Sequence, residues 1–177
     1  MTSQATGTQP AVPATGSAQT YHLFIHASAR AVWDGITRPE HSARYLFGAL
    51  VETTAQIGSP FRYHSPDRSR LWGDDVVLDA DPPHRLVVTY RGLYNPELAA
   101  EPPSRVTWLI EPGADGVTLL TVLHDQLDAA PKTAARVAGT GWMRVLSGLK
   151  TVLETGEGTN DPGGPPAPAA TASQVGA

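Results

Sequence analysis

The chain of 177 residues contains no cysteine, which excludes disulfide scaffolds, thiolate zinc sites, cysteine nucleophiles and dithiol redox chemistry. It also lacks a basic surplus, since 13 Lys and Arg stand against 17 Asp and Glu. Phosphate recognition needs clustered cations, so nucleic acid is not an expected partner. No stretch approaches the roughly 20 apolar residues of a membrane span, and no membrane insertion is expected. The N-terminus has neither the basic region nor the apolar run of a signal peptide, which makes the cytoplasm the simplest placement. Glycine motifs for nucleotides (GxGxxG, GxxxxGK) and for serine hydrolases (GxSxG) are absent as well.

Charge is missing from both ends. Residues 1–20 and 162–177 carry no Asp, Glu, Lys or Arg and consist largely of Ala, Thr, Ser, Gly, Gln and Pro. Such segments bury too little apolar surface to offset the entropy of ordering them. The expected organisation is therefore a disordered tail over 1–20, one domain over 21–158, and a second disordered tail over 159–177.

Between the tails the pattern changes period. Tyr21 to Ala27 has strand composition, Ser28 is placed to cap a short helix running through Trp33 to Ile36, and Pro39 suits the first position of a second short helix. Six further strands follow, at Ala49–Ala55, Phe61–His64, Leu71–Asp79, Arg85–Arg91, Arg105–Glu111 and Val117–Gln126, separated by Gly/Pro/Asp/Ser turns. Residues Pro131 to Glu154 then place Val137, Trp142, Val145, Leu146, Leu149, Val152 and Leu153 at helical spacing, with Gly156 as the C-cap. Gly139 and Gly141 weaken the first half of that helix by roughly 1 kcal/mol each, so a loose or kinked end is expected there. The fold class is α+β: a curved antiparallel sheet of about seven strands around a long C-terminal helix, with two short helices after the first strand.

That order of elements, together with Ala27-Ser28-Ala29-Arg30-Ala31-Val32-Trp33, Val77 to Leu86, Ser104 to Trp108, Gly141-Trp142 and Leu146 to Lys150, resembles the SRPBCC superfamily (START/Bet v 1-like, helix-grip fold). Within it the chain is most similar to the bacterial branch named after the C-terminal domain of the activator of Hsp90 ATPase. The resemblance implies an interior cavity between sheet and helix for a small hydrophobic or aromatic molecule, with no cofactor and no defined catalysis. Two other readings stay open: a polyketide cyclase or aromatase using His124, Tyr90 and Asp74 as acid–base groups, and an interaction module like the eukaryotic Hsp90 activator. A homodimer is compatible with all three.

Strand alternation orders the candidate lining. Leu120, Val122 and His124 form the inward set of the last strand, with Val106, Trp108 and Ile110, and Leu86, Val88 and Tyr90, on its neighbours. Tyr63 and Trp72 are added from the earlier strands, and Trp142 and Met143 from the helix. The same side chains would serve as ordinary core in any sheet-on-helix domain. Asp125 projects opposite His124 and cannot orient it as a triad carboxylate would. Asp74, in phase with Val76 and Leu78, is expected at the cavity mouth, whereas Asp75, Asp79 and Asp81 read as solvated acids. His22 and His26 lie too far apart along a strand to share an ion, and no metal site is expected. The segment Leu93 to Pro103 is longer than a hairpin needs and reads either as a lid or as an ordinary loop.

Overall fold

The computed structural model describes residues 17–159. Its elements are β1 (Gln19–Ile25), α1 (Ala29–Thr37), α2 (Pro39–Ser42), β2 (Leu50–Thr53), β3 (Pro60–His64), β4 (Leu71–Asp81), β5 (Arg85–Tyr90), α3 (Pro96–Ala99), β6 (Ser104–Pro112), β7 (Thr118–Asp125), α4 (Pro131–Val137) and α5 (Thr140–Thr155). All seven strands join one antiparallel sheet in the order β1-β7-β6-β5-β4-β3-β2. The sequence pattern implied this α+β architecture of a curved antiparallel sheet against C-terminal helices, and it is the helix-grip fold that the family resemblance implied.

Order begins earlier than expected. Gln19 and Thr20 already pair with His124 and Leu123, and the Ser17 N–H and hydroxyl donate to Asp128 at 2.6–3.0 Å. At the other end the Thr159 N–H donates to the Arg44 carbonyl. The remainder of both expected tails lies outside the described residues.

Local chemistry explains the helical elements. Ser28 Oγ accepts from the Ala31 N–H at 3.1 Å and caps α1. Pro39 disfavours helical backbone at the preceding residue, and Arg38 is extended, so α1 stops before α2 begins. The buried Ser42 hydroxyl donates to the Ala49 carbonyl and accepts from the Val51 N–H, fixing the entry into β2.

The C-terminal helix is broken in two. Ala138 is extended and Gly139 adopts φ 60°, ψ −113°, a conformation that glycine reaches without a Cβ penalty. A Cβ on Gly141 would stand 2.7 Å from the Arg136 carbonyl, so the second glycine lets α5 start tight against the end of α4. Beyond the break, Trp142, Leu146, Leu149 and Val152 form one buried stripe on the sheet. Each fully buried Leu or Val in it contributes roughly 1.5–3 kcal/mol.

Register places Trp108 of β6 between Leu86 of β5 and Val122 of β7, all three buried. The inward sets of β5, β6 and β7 are those expected, and their solvent-side neighbours include the exposed or partly exposed Arg85, Thr89 and Glu111. Strand β4 has the opposite phase. Phe61 pairs with Asp75 and Val88 with Val77, so Gly73, Asp75 and Val77 are buried while Asp74, Val76 and Leu78 are exposed.

Candidate functional site

A cavity of about 500 Å³ opens between β2–β6, α1 and the α4–α5 pair. Nine of the twelve aromatic residues stand on its wall: Tyr45, Phe47, Phe61, Tyr63, Trp72, Tyr90, Tyr94, Trp108 and Trp142. Ile36, Val51, Val137 and Val145 fill the gaps, and Arg136, Thr140 and Arg144 add polar groups from the helices. The volume lies within the usual range for small-molecule pockets, roughly 300–1,000 Å³.

The walls are built from tilted ring pairs. Phe61 and Tyr63 meet at 5.3 Å between centroids and 60°, and Trp108 and Trp142 at 5.3 Å and 76°, the geometries that ring quadrupoles favour. The two indoles differ in their hydrogen bonds. Trp142 Nε1–H donates to His124 Nδ1 at 3.0 Å, whereas Trp108 Nε1 is sealed from solvent and has no partner. The Arg144 guanidinium stacks over Phe47 at 5.6 Å.

Of the expected lining residues, Tyr63, Trp72, Tyr90, Trp108 and Trp142 reach the wall. Val88, Ile110, Leu120 and Val122 are buried beyond it, in the packed core. Met143 is a correction: it is 53% exposed, because the α5 stripe passes through Trp142 and Leu146 and turns the intervening position outward.

His124 is fully buried and absent from the wall. With Nδ1 accepting from Trp142, the ring proton sits on Nε2 and is donated to Ser104 Oγ at 2.7 Å. The Ser104 hydroxyl in turn donates to the Tyr90 carbonyl at 3.2 Å. Burial pushes the imidazole down to about 4, with Asp125 pulling weakly the other way. A neutral ring with both nitrogens engaged is a strut between β6, β7 and α5, poorly placed to serve as a general base. Asp125 faces away from it and binds Arg105 through both oxygens, at 2.8 and 2.6 Å.

The expectation for Asp74 is also corrected. Its carboxylate is exposed and pairs with Arg62 at 2.8 Å, because the β3–β4 register turns that face outward. The buried acid is Asp75, only 2% exposed. Asp75 Oδ1 accepts from the Thr89 hydroxyl at 3.0 Å, and Oδ2 has no hydrogen-bonding partner. Desolvation pushes this carboxyl up to about 7, against the pull of the Thr89 hydrogen bond. Burial raises the phenols of Tyr63 and Tyr90 well above their ordinary range, and Asp75 adds to the rise in both. A Cβ on Gly73 would lie 2.6 Å from the Tyr63 ring and 3.1 Å from Asp75 Oδ2, so glycine there lets the tyrosine lie flat on the strand.

The Leu93–Pro103 segment is held to α4. Asn95 caps α3, Leu98 is buried, and Tyr94 reaches the cavity. Glu101 accepts from the N–H groups of Lys132 and Thr133 and from the Thr133 hydroxyl, each at 2.8 Å. Lys132 and Glu97 form a further ion pair at 3.1 Å.

Sequence reading missed the Tyr45-Leu46-Phe47 turn and Phe61 as lining. Two aromatics within three residues of a connecting turn, and the alternation of Phe61 with Tyr63, were the available signals. Among the described residues, no cluster of three or more His, Asp or Glu is placed to hold a metal ion, and no helix is long and apolar enough to cross a membrane.

A search of the curated proteins finds no match. Among solved structures, CalU16 from Micromonospora echinospora is 20% identical, with a TM-score of 0.60 over 85% of this chain and 77% of that one. The Aha1 dimer from Colwellia psychrerythraea is 16% identical, with a TM-score of 0.62 over 80% and 99% of the two chains. DynU16, from the dynemicin biosynthetic locus, is 20% identical, with a TM-score of 0.60 over 82% of this chain and 50% of that one. At these identities the likeness concerns the fold. The family model described as "Activator of Hsp90 ATPase homolog 1-like protein" matches residues 26–154, from the end of β1 to the last turn of α5, and the chain belongs to that family.

Proposed function

We propose that this protein binds a small hydrophobic or aromatic molecule in the cavity between its sheet and C-terminal helices, without catalysing a reaction on it. The observation that carries this reading is the cavity itself, about 500 Å³ lined by nine aromatic rings. A domain that needed only a core would close such a space, because each unfilled methyl-sized void costs about 1 kcal/mol. The cyclase-like alternative needs two reactive polar groups converging on one substrate atom. His124, its strongest candidate, is bound on both ring nitrogens away from the wall. The likeness to CalU16 and DynU16 concerns the fold and chooses neither a role nor a ligand.

Native mass spectrometry of the purified protein tests the reading. A co-purifying apolar molecule is expected in the wild type and is expected to be lost in Val145→Trp, where the larger side chain projects from the wall into the cavity. Equal retention of such a molecule by both proteins would place it elsewhere and overturn the proposal.

A further inference from the structure

The polar groups on the cavity wall are unevenly used. Tyr63 lines the cavity, yet its hydroxyl bonds to no described residue and is not sealed from solvent. The open space beside it is the cavity. The hydroxyls of Tyr90 and Tyr94 lie 3.5 Å apart on the same wall. One can donate to the other, which leaves the second proton without an acceptor. Three phenols thus present at least two O–H donors and no protein acceptor for them. Of the other polar groups nearby, Trp142 N–H is committed to His124, and Arg136 and Arg144 have partners of their own, while the Trp108 N–H adds a further donor without an acceptor.

We infer that Tyr63, Tyr90 and Tyr94 form the polar end of the cavity, and that they select a ligand carrying a neutral hydrogen-bond acceptor of the carbonyl type on an apolar body. The inference rests on the cavity being the binding site proposed above. Neutrality follows from the surroundings. Asp75 Oδ2, buried and without a hydrogen-bonding partner, stands beside the Tyr63 ring across Gly73, so an anion at this end would meet a desolvated acid. A purely apolar ligand would displace the solvent that reaches the phenols and leave their protons unpaired, a loss that binding sites of this kind reject.

Calorimetric titration with three probes of one shape separates the possibilities: 2-acetylnaphthalene, 2-ethylnaphthalene and 2-naphthoate. The wild type is expected to bind the ketone roughly tenfold more tightly than the hydrocarbon, about the worth of one well-made hydrogen bond, and to bind the carboxylate most weakly. In the Tyr63→Phe/Tyr90→Phe/Tyr94→Phe triple variant, which removes all three phenol donors, the ketone preference is expected to vanish while 2-ethylnaphthalene still binds, which also shows that the variant is folded. Should the triple variant not fold, Tyr63→Phe alone is expected to reduce the preference severalfold. Equal affinity of the wild type for ketone and hydrocarbon, or tightest binding of the carboxylate, overturns the inference and leaves the cavity as the binding site. Binding of none of the three overturns the inference and counts against the cavity reading as well.

Discussion

With Trp142 donating to Nδ1 and Ser104 receiving the Nε2 proton, His124 has no lone pair or proton left for a ligand. Its inward direction was legible in the alternation along β7. Its partners were not, because Ser104 lies 20 residues earlier and Trp142 lies 18 later, beyond the helix break. Only the β6–β7 register and the start of α5 bring the three together. His124→Leu therefore leaves the Trp142 indole N–H unpaired and takes the Nε2 donor from the Ser104 oxygen, and unfolding free energy is expected to drop by roughly 2–4 kcal/mol. His124→Gln, with an acceptor and a donor at similar reach, should lose less. Urea denaturation of the two variants checks the order. Equal losses would mean that packing rather than hydrogen bonding holds the site.

At the level of elements, strands were easier to read than their phase. The β5, β6 and β7 faces separate because polar residues such as Arg85 and Glu111 mark the solvent side. In β4 both faces carry an acid and a valine, Asp74 with Val76 and Asp75 with Val77, so composition could not decide. Pairing with Phe61 and Val88 did. The helix break was visible in Gly139 and Gly141, but the anchoring of α4 was not, since its N-terminal N–H groups find their acceptor in Glu101, some 30 residues upstream. A short helix holds together through such tertiary contacts more than through its own propensity. Glu101→Ala is accordingly expected to speed hydrogen exchange of the 132–137 amides while the α5 amides keep their protection. Unchanged exchange in α4 would show that the Glu97–Lys132 pair and packing suffice.

Across the whole molecule, two buried groups titrate in opposition. Asp75 keeps its proton up to about 7 in the folded state against an ordinary 3.8, and His124 stays neutral down to about 4 against 6.5. Between pH 4.5 and 6.5 the unfolded chain lacks the Asp75 proton that the native state holds, so this group lowers stability as pH rises. Over the same window the unfolded chain holds a His124 proton that the native state lacks, so that group raises it. One proton each way cancels, and the wild type should be nearly flat from these two sources. The carboxylates held low by hydrogen bonds, such as Asp67, Glu101 and Glu154, act mainly below this window. Asp75→Asn is expected to uncover a rise of roughly 2–3 kcal/mol from pH 4.5 to 6.5, and His124→Gln a comparable fall continuing to about pH 7. Denaturation midpoints across that range provide the check, and parallel profiles for the two variants would contradict it. The placement of the indoles has an optical consequence. Three of the four tryptophans, Trp72, Trp108 and Trp142, stand on the cavity wall, while Trp33 is buried in α1 and is not part of it. The protein therefore carries its own fluorophores at the cavity, so that an unlabelled molecule entering it alters the emission of the protein.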